Sequence, residues 1–219
     1  MAVHFTAQDI FDALCTQKCF GCGEFGPFLD LFTSYRQCIT CVANSDSLLS
    51  ITAFSAKRKF DLSPETLRAL PTLLSLPGRY TESERPCGRR LSLVRMVSAG
   101  ATMPKQNDDF GDSLPQLDTQ GQNPNRFMSM IRFPALDMGT GKLDWGVSCQ
   151  ACRLGTRDKK RGYYNWNTVY STAGYMEHFQ KCQLSQIGRA VAPGYICVTE
   201  EDQSRSNVNF LGFLSKFRF

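Results

Sequence analysis

Short hydrophobic groups in the first hundred positions predict helices and one hairpin. The segment "FTAQDIFDALCTQ" places Ile10, Phe11 and Leu14 at helical spacing, which predicts one helix near the N-terminus. The segment "EFGPFLDLFTSYRQC" combines short apolar runs with turn residues, a pattern that is typical of a β-hairpin. The chain therefore begins with a helix followed by a hairpin.

Two further short helices are predicted after the hairpin, in "LSITAFSAKRKF" and "LSPETLRALPTLLSLPG". In the second, Ser63 precedes Pro64 and Glu65, which is typical of an N-cap followed by a first helical turn. Leu67 and Leu70 lie on one face of this helix. We expect the apolar faces of both helices to cover the cysteine-rich segment that precedes them.

The sequence of the second half of the chain predicts a hairpin and a longer helix. The segments "RFMSMIRFPALD" and "GKLDWGVSCQAC" are interpreted as strands, with "MGTG" as the turn between them. The segment "STAGYMEHFQKCQLSQ" predicts a helix in which Tyr175 and Phe179 lie one turn apart and pack together.

Hydrophobic periodicity is lost between the two halves. Residues 101–125 are rich in Asp, Gln, Asn, Gly and Pro, and predict a loop or flexible linker. We therefore expect an α+β protein with an N-terminal module at 1–100 and a C-terminal module at 126–219.

Two Cys-x-x-Cys pairs surround the predicted N-terminal hairpin, with fifteen residues between the pairs. They are formed by Cys19, Cys22, Cys38 and Cys41. Zinc takes four such ligands tetrahedrally, and this spacing is typical of zinc sites. We expect Gly21 to allow a sharp turn within the first pair, and Gly23 to take a positive φ just after it. The alternative is a set of unpaired core cysteines.

This order of elements predicts a treble-clef-like zinc module. A knuckle carries the first cysteine pair, the hairpin follows, and a helix start carries the second pair. The positive end of a helix favours thiolate at that place. Such a small module has too little core to fold without its metal.

A second zinc site is predicted in the C-terminal module, on the hairpin and the helix. Its ligands are Cys149, Cys152, His178 and Cys182. His178 and Cys182 are four residues apart and project from the same helix face. The 25 residues between Cys152 and His178 exceed the usual finger spacing. The alternative is therefore a core histidine with a chance cysteine.

Composition and charge indicate a soluble intracellular protein. The chain has 219 residues and 42% hydrophobic residues, which is enough for a core. Its first residues do not resemble a signal peptide, and no run of apolar residues predicts a membrane span. A reducing compartment favours metal over disulfides. The formal net charge is +5, and seven zinc-bound thiolates with two divalent ions lower it by three, to about +2.

Catalysis is not expected. A catalytic zinc keeps a position open for water, whereas each predicted quartet supplies four protein ligands. The His-Glu-x-x-His pattern and the zinc-deaminase signature do not occur in the sequence. The other histidine, His4, is interpreted as inert. Cys15, Cys87 and Cys197 are interpreted as idle or buried thiols, although Cys15 lies close enough to Cys19 to compete as a ligand.

Nucleic-acid binding is the alternative function. The segment 153–166 mixes Lys159, Lys160 and Arg161 with Tyr163, Tyr164 and other aromatic and basic residues, a combination suited to phosphates and bases. A short solvated basic loop explains the same residues. We expect no nucleic-acid binding at physiological salt.

Several segments resemble a family of F-box proteins from filamentous fungi. They are "CFGCGEFGPFLDL", "RQCITCVANS", "FDLSPETLRALPTLLSLPGRY", "WGVSCQAC" and "GYYNWNTVYSTAGYMEHFQKCQ", and the resemblance runs from Leu14 to Gln186. In that family an F-box, which docks on the Skp adaptor of a cullin ubiquitin ligase, precedes the first cysteine cluster. No catalytic residue is established there.

The resemblance implies a protein-interaction role, that of a ubiquitin-ligase substrate receptor or of a relative without an F-box. Only eighteen residues precede Cys19, which is too few for the helices of an F-box. We therefore expect an unidentified protein target. We expect the Skp adaptor as a partner only if an F-box lies upstream, and no stable complex of the adaptor with these 219 residues.

Overall fold

The computed structural model describes residues 5–80, 87–102, 124–149, 152 and 168–182. In these ranges the protein has the predicted α+β class, with short helices around small antiparallel sheets. The described helices are α1 (Ala7–Cys15), α2 (Ile39–Asn44), α3 (Ala53–Phe60), α4 (Pro64–Ala69), α5 (Met96–Gly100), α6 (Pro124–Phe127) and α7 (Thr172–Lys181).

The described strands are two to four residues long. They are β1 (Phe28–Asp30), β2 (Arg36–Gln37), β3 (Ser50–Thr52), β4 (Leu73–Leu74), β5 (Ser92–Arg95), β6 (Met130–Arg132), β7 (Ala135–Leu136), β8 (Leu143–Asp144), β9 (Val147–Ser148) and β10 (Val169–Tyr170). They form two three-stranded sheets, ordered β2-β1-β6 and β3-β5-β4, and two pairs, β7-β8 and β10-β9.

The predicted N-terminal helix is present as α1. Thr6 caps it, because its hydroxyl accepts from the Asp9 backbone N–H while the Asp9 carboxylate accepts from the Thr6 N–H. Ala13 is the buried residue of this helix. Its carbonyl accepts a hydrogen bond from the buried Arg36 side chain, which ties the helix to the first sheet.

The predicted N-terminal hairpin is also present, but its sheet has a third strand that the sequence pattern does not reveal. β1 pairs antiparallel with β2 on one edge and with β6 on the other. The division into modules around 101–125 stays a prediction. The pairing of β1 with β6 nevertheless joins residues on either side of that segment.

The helices α3 and α4 pack somewhere other than expected. Ala56 of α3 and Leu67 of α4 join the core of the β3-β5-β4 sheet, against Ile51 and Val94. Leu62 and Leu70, which follow the two helices, lie in the same core. The helix α4 begins as predicted, with Ser63 as its N-cap and Pro64 in its first turn. The sequence pattern identified these helices but not the strands β3 and β5 on which they lie.

A different set of residues covers the hairpin beside the first cysteine quartet. Phe28 of β1 and Val42 of α2 share a cluster with Leu48, Phe127 and Met130. Two of these five come from residues beyond the predicted linker. Folding of the first quartet's surroundings therefore uses both halves of the sequence.

One buried ion pair joins the two three-stranded sheets. Arg95 of β5 donates to a carboxylate oxygen of Asp30 in β1, and also to the Leu48 carbonyl and to the Ser50 hydroxyl. The Arg95 guanidinium also lies over the Phe32 ring, 4.8 Å from its centroid. Burial of such a pair is tolerated because the remaining polar groups are hydrogen-bonded.

The predicted C-terminal hairpin turn is present between β7 and β8. Asp137 receives a hydrogen bond at its carbonyl from Gly141, and donates through its backbone N–H to the Lys142 carbonyl. The two predicted strands are each interrupted, however, so that β6 joins the first sheet and β9 pairs with β10. The longer helix that was predicted for the second half of the chain is present as α7, with Ser171 as its N-cap.

A close junction connects the first sheet with the β9-β10 pair. Arg132 of β6 donates to the carbonyls of Trp145, at 3.2 Å from Nε, and of Gly146, at 3.0 Å from Nη2. Gly146 has φ +73°, and an added Cβ would lie 2.5 Å from the Phe25 ring and 2.6 Å from Val169. Only glycine fits this position without displacement of its neighbours.

Candidate metal centres

The first cysteine pair lies in a tight knuckle before β1. Its turn is closed by two backbone hydrogen bonds, from Cys19 N to Glu24 O at 2.6 Å and from Gly23 N to Cys19 O at 2.9 Å. Gly23 has the expected positive φ, +79°. Gly21 also leaves room for the second pair, because a Cβ there would lie 3.0 Å from Cys41 Sγ. A small residue is needed at 21 so that the two pairs approach each other.

The second pair lies at the start of α2, as the treble-clef interpretation predicts. Cys38 is the N-cap of this helix, and its Sγ accepts from Cys41 N at 3.4 Å. Cys38 N in turn donates to Cys19 Sγ at 3.2 Å. Backbone N–H groups therefore already point at two of the four sulfurs, which favours their thiolate form.

The four sulfurs of this first cluster are positioned for one metal ion. Cys19, Cys22, Cys38 and Cys41 place their Sγ atoms within 4.8 Å of one another. The Cys22 and Cys38 sulfurs are 3.5 Å apart, and all four cysteines are free. A zinc–sulfur bond of about 2.3 Å gives a tetrahedron whose sulfur–sulfur edge is about 3.8 Å. The spacing matches a coordination shell and not a disulfide.

The thiols of the first cluster affect one another's ionisation. The hydrogen bond between the side chains of Cys19 and Cys38 lowers the pKa of Cys19 to about 4. The same hydrogen bond raises the pKa of Cys38 above its usual range. Burial raises the pKa of Cys41 to about 11. Of these three thiols, Cys19 is therefore the one that ionises most readily in the absence of a cation. A divalent ion supplies the positive charge that allows all four to ionise.

The second cluster joins the end of β9 to the end of α7. Its ligand atoms, from Cys149, Cys152, His178 and Cys182, also lie within 4.8 Å of one another. Cys182 Sγ lies 3.9 Å from Cys149 Sγ and 3.6 Å from Cys152 Sγ, and His178 Nε2 lies 3.5 Å from Cys152 Sγ. Tetrahedral zinc gives edges of about 3.8 Å between sulfurs and about 3.6 Å between sulfur and nitrogen. The cluster is geometrically suited to a second metal ion.

Aromatic rings hold the histidine of the second cluster in place. Tyr170 of β10 stacks on His178, with centroids 4.4 Å apart and planes at 19°. Tyr175 and Phe179 pack together as expected, with centroids 6.0 Å apart, beside the three buried cysteines. Burial lowers the pKa of His178, which favours the neutral imidazole that binds metal. The stacking role of Tyr170 was not predicted, because it depends on the pairing of β10 with β9.

The structure separates two remaining cysteines from the clusters. Cys15 Sγ lies 3.4 Å from the Met138 sulfur and does not join the first cluster, so it does not compete as a ligand. Cys87 Sγ donates to the Arg89 carbonyl at 3.2 Å. His4, Cys197 and the basic segment 153–166 lie outside the described residues.

None of the helices in the described ranges is long and apolar enough to cross a membrane. Comparison with known proteins gives no match, whether to a family model, to a curated protein or to a solved structure.

Proposed function

We propose that this chain is a non-catalytic, zinc-binding protein-interaction module that acts inside the cell. The observation that carries the proposal is the arrangement of the eight predicted ligands in two groups, each with its ligand atoms within 4.8 Å of one another. Four sulfurs, or three sulfurs and one imidazole, form the ligand sets that structural zinc sites use. Harder ions such as magnesium and calcium prefer oxygen ligands.

The absence of catalysis is proposed from the ligand count. A tetrahedral zinc with four protein ligands has no position left for a water molecule or a substrate. Both clusters lie largely in the interior, with Cys19, Cys38, Cys149, Cys152 and Cys182 buried. Metal binding then supplies folding free energy to two regions whose strands are too short to be stable alone.

An exposed aromatic pair beside the first cluster supports the binding of a partner protein. Phe20, within the knuckle, is 70% exposed and stacks on Tyr35, with centroids 4.4 Å apart and planes at 13°. Stacked, rigid aromatic rings supply contact area at low cost in conformational entropy, which is why they are enriched at interfaces. The knuckle and the hairpin hold this pair in a fixed position next to the metal ligands.

The proposed partner class follows from the resemblance to filamentous-fungal F-box proteins. By that resemblance, the module corresponds to the substrate-side region, and its target is a protein that such a receptor would recognise. The relation of the chain to a ubiquitin ligase is part of this proposal. It is tested separately from zinc binding.

Metal analysis of the purified protein tests the zinc proposal. Inductively coupled plasma mass spectrometry is expected to give two zinc ions per chain. One ion or none, or iron in place of zinc, would contradict it.

Proximity labelling in a fungal host tests the interaction proposal. The double variant Phe20→Ala/Tyr35→Ala is expected to lose labelled proteins that the wild type and the control Phe54→Ala retain. Phe54 is a suitable control because it is 69% exposed but lies on α3, where Arg58 covers its ring. Equal labelling by all three would contradict a role for the pair. A stable complex of the 219-residue chain with the Skp adaptor would restore the full ligase role.

A further inference from the structure

The two clusters differ in the solvent exposure of their cysteines. In the first cluster Cys22 is exposed, whereas Cys19 and Cys38 are 3% and 9% exposed. In the second cluster the three cysteines are 2%, 4% and 7% exposed, in the order Cys149, Cys152 and Cys182. Among the ligand cysteines, a small molecule from solvent therefore reaches Cys22 first.

Backbone hydrogen bonds also distinguish Cys22 from Cys19 and Cys38. Backbone N–H groups donate to Cys19 Sγ and to Cys38 Sγ, at 3.2 and 3.4 Å. Within the described part of the chain, no backbone N–H donates to Cys22 Sγ. Hydrogen bonds stabilise the charge of a thiolate and so reduce its nucleophilicity. Cys22 is thus less shielded than Cys19 and Cys38, and it is also more exposed than Cys41, which is half-buried.

A second sulfur lies within reach of Cys22. Its Sγ is 3.5 Å from Cys38 Sγ, and a disulfide requires a separation of about 2.05 Å. The needed movement of about 1.5 Å falls on the exposed side chain of Cys22, whose neighbours Gly21 and Gly23 have no side chains to obstruct it. Cys38 is held in place as the N-cap of α2.

We infer that Cys22 is an oxidative modification site for hydrogen peroxide or a small organic hydroperoxide, with Cys38 as the resolving thiolate. The inference rests on the proposed zinc content, because zinc keeps both sulfurs as thiolates. It assigns to the first cluster a chemistry that the second cluster does not share.

The reaction balances with peroxide as the oxidant. The Cys22 thiolate attacks one peroxide oxygen, the O–O bond breaks, hydroxide leaves, and Cys22 becomes a sulfenic acid. The Cys38 thiolate then attacks the Cys22 sulfur, a second hydroxide leaves, and the Cys22–Cys38 disulfide forms. Two electrons pass from two thiolates to one peroxide. Cys22 and Cys38 would then no longer be available as ligands, and the two remaining cysteines, Cys19 and Cys41, would be too few to retain a zinc ion.

Oxidation would act on the surface that the proposed function uses. Phe20 lies between Cys19 and Cys22, and its backbone N–H donates to the Arg36 carbonyl at 2.8 Å. Loss of the metal removes the ligand bonds that hold this knuckle against the hairpin. The position of the Phe20–Tyr35 pair thus becomes dependent on the oxidation state of Cys22.

Zinc release under hydrogen peroxide tests the inference on the full chain. A chromogenic zinc chelator follows the metal, and peptide mass spectrometry under non-reducing conditions locates the bond. We expect one zinc ion per chain to be released at least about tenfold faster than the other, with a Cys22–Cys38 disulfide. Release of both ions at one rate, or a first disulfide that omits Cys22, would overturn the inference.

Two variants sharpen this test. Cys22→His replaces the exposed thiolate by another zinc ligand, as in the second cluster, and is expected to abolish the fast release. Cys87→Ser removes a thiol that is not a ligand and is expected to leave it unchanged. If Cys22→His fails to retain zinc, the inference is tested by the wild-type peptide map alone. It stands if the first disulfide joins Cys22 to Cys38, and it fails if that disulfide omits Cys22. Two zinc ions in the untreated protein would uphold the proposed function even if the release experiment failed.

Discussion

Arg95 and Asp30 form a buried ion pair that joins strand β5 of one sheet to strand β1 of the other. Removal of one partner would leave the other charge buried without compensation. We therefore expect Asp30→Asn to lower the free energy of unfolding by about 3 kcal/mol, as measured by urea denaturation.

A second pair supplies the control for this prediction. Arg126 is itself buried and lies 3.5 Å from Asp46, but it also donates to the Ser45 carbonyl at 2.6 Å, and the Asp46 side chain is 79% exposed. Solvent screens such a pair, so Asp46→Asn is expected to cost less than about 1 kcal/mol. Equal losses in the two variants would show that the buried pair has no special role.

Cys38 combines two roles, as a ligand of the first cluster and as the N-cap of α2. We expect Cys38→Ser to leave one zinc ion per chain and to lower the melting temperature by at least about 6 °C, since lost metal-binding energy is lost folding energy. Metal analysis and circular dichroism measure both effects. An unchanged melt, or a melt no lower than that of Cys87→Ser, would show that the first cluster is not structural.

Gly146 connects the first sheet with the second cluster. Alanine there would need φ +73° and would overlap Phe25, Val169 and the Tyr170 carbonyl. We expect Gly146→Ala to lower the free energy of unfolding by about 3 kcal/mol, through backbone strain and overpacking together. Chemical denaturation measures this.

A variant at Gly141 separates the effect of backbone strain from that of overpacking. Gly141 also has a positive φ, +68°, but no atom lies within 4 Å of an added Cβ. Gly141→Ala is therefore expected to cost only the strain of about 1 kcal/mol. A cost as high as that of Gly146→Ala would refute the overlap argument.

Tyr80 gives a prediction about alkaline pH. Burial raises the pKa of its hydroxyl, which donates to the Leu76 carbonyl. The unfolded chain therefore releases this proton first, and stability falls as pH rises above about 10. Tyr80→Phe is expected to weaken this decline between about pH 8 and pH 11, at a cost near neutrality of about 1 kcal/mol. The same urea midpoints at each pH in both proteins would contradict the assignment.

The ligand groups could be predicted from the sequence because their chemistry is local. Each Cys-x-x-Cys pair delivers two sulfurs through a single turn, and the i, i+4 spacing of His178 and Cys182 follows from the helix alone. Helix caps at Thr6, Ser63 and Ser171 are local signals of the same kind.

The sheet partners could not be predicted in this way. A strand of three residues such as β6 has no periodicity long enough to identify its partner. Its pairing with β1 depends on the core around Phe28 and Phe127, and on the hydrogen bonds of Arg132, all of which are tertiary. The expected cover of the first cluster by α3 and α4 was wrong for the same reason, because β3 and β5 were not recognised.

The pairing of β1 with β6 sets an order of events during synthesis. All four cysteines of the first cluster have been synthesised once Cys41 has left the ribosome. The second partner strand of β1, β6, follows about 100 residues later, which corresponds to about 5 to 20 seconds of translation. During that interval the edge of Phe28–Asp30 that later pairs with β6 is uncovered beside the cysteine knuckle. The growing chain is then most exposed to mispairing with neighbouring chains, and most in need of a chaperone.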